Sequence, residues 1–306
     1  MLKLYPLLIF ACLLTLSCGD SNTKQAQATV DLTLPAMGAT SDLVIGPTGT
    51  LGPISPEVDF AVDGSTRGIT IYRIWVDISI SYSENGRNDT YSKSGEGRLV
   101  FGKQNITVDF PETRGGTISY IGHVTYQQRG YGRQTIHSTP VSKFIIGSQP
   151  PKAEIRKYLN DDLLSVVVFK RSSFEQFDPQ GNPIFSSGFG LFRIPNPSAE
   201  QIWNWTKNAE FAKQELEQKK AIAKEIPSKL RMQDPVNYAG LPDFDAGQLL
   251  MEAVQSFGTG KYHKPKKSPL TQKWTWVKDS NNDGFAFSCE VMAKDVKNGK
   301  FPPGWN

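Results

Sequence analysis

The hydrophobic pattern of this 306-residue chain changes period once, and that change limits what it can fold into. From Ile74 the apolar residues recur at every second position. Ile74, Val76, Ile78, Ile80 and Tyr82 form one run; Leu99 with Phe101, then Ile106, Val108 and Phe110, then Ile118, Tyr120, Val124 and Tyr126 form the others. A period of two sets alternate side chains on opposite faces of an extended chain, as half-buried strands require. Turn signals separate the runs at Asn85-Gly86, Gly102-Lys103, Gly115-Gly116 and Arg129-Gly130. Short strands at this spacing predict a β-sandwich over residues 30–148.

Past Gly147-Ser148-Gln149-Pro150-Pro151 the pattern turns helical, which marks a domain boundary. Ala153, Ile155 and Leu159 predict a first helix, Asn160-Asp161-Asp162 a break, and a second helix follows from about Leu163 to Phe174. A long helix is expected over 198–224, opened by Ser198 and Gln201 as a capping box and buried along Ile202, Trp205, Ala209, Ala212 and Leu216. Two more are expected near 246–257 and 286–296, with a hairpin-like insertion at 178–194. The expected fold class is therefore α+β and multidomain, a sandwich followed by a mainly α domain over 149–306.

The first residues, MLKLYPLLIFACLLTLSCGDSN, combine a lysine, an apolar run from Leu4 to Leu16 and a small residue before a cysteine. The run is shorter than the ~20 residues a membrane-spanning helix needs, so it reads as an export signal over residues 1–18. Thr15-Leu16-Ser17-Cys18 resembles a loose bacterial lipobox, which implies lipidation at Cys18 and attachment to an envelope membrane; the alternative is plain secretion with cleavage after Ala26-Gln27-Ala28. Residues 19–29 read as a flexible tether. With Cys12 removed and Cys18 lipidated, Cys289 is the only thiol left, so no disulfide framework is expected. A balance of 34 Lys+Arg against 30 Asp+Glu is too mild to suggest nucleic acid as a partner.

Three stretches carry a resemblance. They are RSSFEQF at the end of the second expected helix, a glycine-rich hairpin ending GFGLFR, and IPNPSAEQIWNW opening the long helix. Together they resemble the lysozyme-like domain of goose-type lysozymes and soluble lytic transglycosylases, over residues 147–306. That resemblance implies a groove for peptidoglycan, with Glu-Ser at the helix end, Gly-Leu-Met-Gln in the hairpin and Arg-Tyr-Asn in a later helix. Here the corresponding positions read Arg171-Ser172, Gly190-Leu191-Phe192-Arg193 and Gln255-Ser256-Phe257. By this resemblance Arg171, Ser172, Gly190, Leu191, Arg193 and Phe257 line the groove.

Cutting a glycan between sugars requires a group that protonates the leaving oxygen. The resemblance implies a glutamate for that role at Arg171, and an arginine cannot fill it, because its guanidinium stays protonated at a pKa above ~12. Glu175 is the nearest candidate acid. If the helix continues one more turn, Glu175 falls on the face of Arg171 and can pair with it; the competing reading is an exposed residue past the helix end. An adjacent arginine favours the ionised carboxylate, whereas a general acid must hold its proton. The expectation is thus an envelope lipoprotein that has lost catalysis and binds peptidoglycan or a protein partner. Its alternative is an active lytic transglycosylase or lysozyme using Glu175.

Two further segments stand out. DSNNDGFAFSCE fits the calcium-loop template, with Asp279, Asn281, Asp283, Gly284 and Glu290 at positions 1, 3, 5, 6 and 12; the competing reading is an Asn/Asp turn capping the last helix. KYHKPKKSPLTQK carries Lys261, Lys264, Lys266, Lys267 and Lys273 and no acid, which suits a solvated loop or contact with an anionic membrane or wall polymer. Trp203 and Trp205 read as packing residues of the long helix, and of Trp274 and Trp276 one is expected to stay open for stacking. His123 and His137 have no carboxylate or cysteine neighbours at ligand spacing and read as structural.

Overall fold

The computed structural model describes residues 25–33, 42–258, 260–280 and 284–306. The expected signal peptide over 1–18 with Cys18, most of the expected tether, Asn281 and Asp283 lie outside them. The architecture is mixed α+β, with β-sheets over residues 28–147 and a mainly helical region over 152–297. Among the described residues no helix is long and apolar enough to cross a membrane.

Among the described residues of 28–147, nine strands make two sheets. They are β1 (Ala28–Thr33), β2 (Leu43–Ile45), β3 (Glu57–Val62), β4 (Ile69–Tyr82), β5 (Asp89–Glu96), β6 (Gly102–Asn105), β7 (Gly116–Gln128), β8 (Arg133–His137) and β9 (Val141–Gly147). One sheet runs β1-β3-β6; the other runs β2-β9-β7-β4-β5, with β8 also paired to β7. The two long alternating runs are β4 and β7, and Ile74, Val76, Ile78, Ile80, Ile118, Tyr120 and Val124 are all buried. Phe60 of the small sheet meets Tyr126 of the large one at 5.6 Å between ring centres, inside a core shared by both sheets.

Several expectations shift. The Leu99 and Phe101 run is not a strand: Leu99 is 55% exposed, and β6 starts at Gly102, where a turn was expected. Ile106 and Val108 are buried on irregular backbone that touches the chain at Ile54 through a single bridge. β5, DTYSKSGE, has no apolar alternation; it forms because Asn85 and Gly86 both take left-handed dihedrals and fold it back on β4. β1 begins at Ala28, inside the expected tether, because Ala28 and Thr29 pair with Val62 and Ala61.

The helical region holds α1 (Lys152–Leu159), α2 (Asp162–Ser172), α3 (Ala199–Trp203), α4 (Trp205–Lys224), α5 (Ile226–Gln233), α6 (Ala246–Gln255), the antiparallel pair β10 (His263–Lys267) and β11 (Trp274–Lys278), and α7 (Phe285–Lys297). The long helix is two helices. Asn204 leaves helical geometry and its Oδ1 accepts from the Thr206 N–H at 3.0 Å, capping α4. The break sends Trp203 and Trp205 into different cores.

Trp203 explains why the change of period at 147–151 is not a gap between cores. With Phe177, Phe189 and Ile202 it joins the cluster built by the sheets, edge-on to Tyr82 at 5.3 Å. Its ring covers Gly115 so closely that a Cβ there would stand 2.3 Å from ring carbon, and Phe177 approaches Gly147 in the same way. Hydrogen bonds cross the seam too, from Trp205 Nε1 to the Pro47 carbonyl at 2.8 Å and from Arg87 to the Pro197 carbonyl at 2.7 Å.

Candidate functional site

The site implied by the resemblance is assembled by α2, the hairpin after it and the end of α6. Asp161 caps α2 by accepting from the Leu164 N–H at 2.7 Å, and Leu164, Val166, Val167 and Val168 are buried. The helix stops at Ser172, two residues earlier than expected. Ser173 and Phe174 both take left-handed dihedrals, so the chain turns, Phe174 is buried against Phe169 and Trp305, and Glu175 emerges exposed. Glu175 is therefore not one helical turn beyond Arg171, so it does not pair with it and stands as an exposed residue past the helix end.

Arg171 turns inward instead. Its Nε donates to the Phe192 carbonyl at 2.9 Å and its Nη1 to the Phe257 carbonyl at 3.4 Å, while its guanidinium lies 4.8 Å over the Phe192 ring. Phe257 packs edge-on to Phe192 at 5.0 Å, and Lys219 Nζ sits 4.9 Å over the Phe257 ring. Arg193, at φ 53°, donates from Nε to the Arg171 carbonyl at 3.2 Å, and its Nη1 is buried with no hydrogen-bond partner. Among the described residues neither arginine forms a salt bridge. Burial lowers the pKa of both guanidinium groups; at Arg193 the Glu175 charge opposes that and the Arg171 charge adds to it.

The structure thus brings Arg171, Arg193 and Phe257 together and turns the other implied residues inward. Ser172 is buried and its hydroxyl donates to the Val168 carbonyl at 3.1 Å, one turn back in its own helix. Gly190 and Leu191 are buried under a polar knot absent from the sequence expectations. Gln176, fully buried, donates from Nε2 to the Ile202 carbonyl at 2.6 Å and accepts the Leu191 N–H at 2.9 Å. Asn208 accepts the Phe192 N–H at 2.8 Å and donates to the Phe189 carbonyl at 3.1 Å. A Cβ on Gly190, which has φ 71°, would stand 2.5 Å from both amides, so only glycine fits.

The calcium reading meets occupied ligands. Glu290 lies within α7, and its carboxylate accepts Tyr262 Oη at 2.7 Å, Lys278 Nζ at 2.6 Å and Lys294 Nζ at 3.1 Å. Asp279 accepts Lys264 Nζ at 2.9 Å. Among the described residues no group of three His, Cys, Asp or Glu is placed to hold a metal. Two lysines on Glu290 would compete with a divalent ion for its carboxylate, while Asn281 and Asp283 of the expected ligand set lie outside the described residues.

The structure bears on three other expectations. Asp77 comes to 3.1 Å from His123, because β4 and β7 pair with Trp75 opposite His123 and stack the two rings at 4.7 Å; burial still pushes the His123 pKa down. Trp276 is buried, its Nε1 on the Pro242 carbonyl at 2.8 Å and its ring 4.2 Å from Phe244. Trp274 is half-buried beside Tyr238. The lysine-rich segment expected as a loop forms β10 over His263–Lys267. His263, which the sequence did not single out, is buried against Glu252, its Nδ1 3.0 Å from the carboxylate.

No family model matches the chain, and no curated protein matches it.

Proposed function

We propose that this protein is a bacterial envelope lipoprotein, anchored through Cys18, whose N-terminal β-sandwich supports a lysozyme-like region that binds peptidoglycan or an envelope protein without cutting glycan. The observation that carries this is the position of Arg171. Where the resemblance implies a proton donor, a guanidinium is hydrogen-bonded to the carbonyls of Phe192 and Phe257. A cation held in this way has no proton to give near neutral pH. The remaining candidate acid, Glu175, lies exposed beyond two left-handed residues and off the helix. Binding is favoured over a purely structural role by Arg193, a half-buried guanidinium with no salt bridge among the described residues, which suits a carboxylate such as those of wall peptide stems.

The test has two arms. Purified protein incubated with insoluble peptidoglycan is expected to sediment with it and to release no soluble fragments. Release that disappears in Glu175→Gln would replace this proposal with the enzyme alternative. Absence of both sedimentation and release would leave an envelope protein as the partner.

A further inference from the structure

Among the described residues the two most exposed large apolar side chains are Leu270, 93% exposed, and Val236, 86% exposed. They belong to one region. Leu270 tips the loop between β10 and β11, a loop closed by hydrogen bonds from the Ser268 N–H to the Lys273 carbonyl and from the Gln272 N–H to the Ser268 carbonyl, both at 2.9 Å. Leu270 is therefore held outward by a formed turn. Val236 stands on the turn at 235–240, two residues before Tyr238, whose ring meets Trp274 at 5.3 Å. Trp274 pairs across the strands with Lys267, whose Nζ lies 5.9 Å over the indole.

The hairpin that carries Leu270 is charged with one sign, and the exception near Val236 is Asp234. No Asp or Glu occurs from 253 to 278. Lys264 and Lys278 at the base of the hairpin are taken by Asp279 and Glu290. Lys266, Lys267 and Lys273, nearer the tip, are exposed and form no ion pair among the described residues. The acid nearest Val236 in sequence, Asp234, accepts both the backbone N–H and the side-chain amide of Asn237.

We propose that the β10–β11 hairpin and the Val236 turn dock on an anionic lipid bilayer, with Leu270 and Val236 entering the headgroup–acyl boundary and Lys266, Lys267 and Lys273 meeting lipid phosphates. Trp274 and Tyr238 then sit at headgroup depth, where amphipathic rings are favoured. A soluble polyanion would pair with the lysines and leave Leu270 and Val236 in water; a bilayer covers both kinds of side chain. This contact is separate from the lipid at Cys18 and from the groove at Arg171, and it would fix which side of the protein faces the membrane.

The experiment is co-sedimentation of the full chain with phosphatidylcholine vesicles, with and without phosphatidylglycerol, alongside binding to heparin. Leu270→Asn and the double variant Lys266→Glu/Lys267→Glu keep the same N-terminus, so its contribution cancels between proteins, and a urea midpoint confirms that each is folded. Each lysine at an anionic surface is worth roughly five-fold in partitioning, so the double variant is expected to lose at least about 25-fold on anionic vesicles. Leu270→Asn, which removes the apolar side chain without changing charge, is expected to lose about ten-fold on vesicles and nothing on heparin. Variants that partition like the parent would overturn the proposal. So would a loss confined to the lysine variant and equal on vesicles and heparin, which would point to a soluble polyanion.

Discussion

Arg171 holds Phe192 twice, through a 2.9 Å hydrogen bond to its carbonyl and through a guanidinium 4.8 Å above its ring. With the further bond to the Phe257 carbonyl, one side chain ties α2 to the hairpin and to the chain leaving α6. Arg171→Glu removes the donors and sets an anion against carbonyl oxygens. It is expected to lose about 2 kcal/mol of stability in urea unfolding and to release no soluble fragments from peptidoglycan, because Arg193 and Phe257 still depart from the implied pattern. Unchanged stability would show that Arg171 is not a clamp, and release of fragments would show that this one position alone had silenced the site.

The ring of Trp203 lies on Gly115 and edge-on to Tyr82, so a side chain from the helical region completes the core of the sheets. Trp203→Ala opens a cavity in a cluster that both regions share and is expected to cost about 3–5 kcal/mol. Gly115→Ala forces the same ring aside and is expected to destabilise as well. The sharper outcome concerns cooperativity: tryptophan fluorescence and far-ultraviolet circular dichroism should report one coincident transition in urea for the wild type. Two separate transitions would mean that the seam carries little energy.

How much of this could be read beforehand differs by element, for physical reasons. β4 and β7 were legible because Ile74 to Tyr82 and Ile118 to Tyr126 bury one face and wet the other. β5 was not, since its inward residue at the narrowest point is Gly95, where a Cβ would stand 2.6 Å from Val108, and its outward ones are polar. The break at Asn204 was hidden because Ile202 and Trp205 keep helical spacing across it while facing different cores. At the site, the gathering of Arg171, Arg193 and Phe257 came from a resemblance, as residues 86 apart leave no local trace of contact. The knot of Gln176 and Asn208, and the pair Glu252 and His263, left none either, because buried amides and acids look like surface residues until their partners are known.

Glu290 offers a pH signature that separates a lysine-bound carboxylate from a calcium ligand. Burial works against its charge, but hydrogen bonds from Lys278, Tyr262 and Lys294 outweigh that and hold its pKa down at about 2. An ordinary glutamate in the unfolded chain titrates near ~4.3. The folded state therefore binds this proton less readily, and the resulting stability is present in full above about pH 4.3 and is lost as pH falls towards about 2. Glu290→Gln cannot carry that charge, so it is expected to be about 1–2 kcal/mol less stable than wild type at pH 7, allowing for solvent screening. Urea midpoints of the two proteins should converge as pH drops through that window. Millimolar calcium at pH 7 should leave their difference unchanged, since the ion would have to displace Lys278 and Lys294 to reach the carboxylate. A calcium-dependent gain in wild type that Glu290→Gln lacks would restore the ion and remove the lysines from the account.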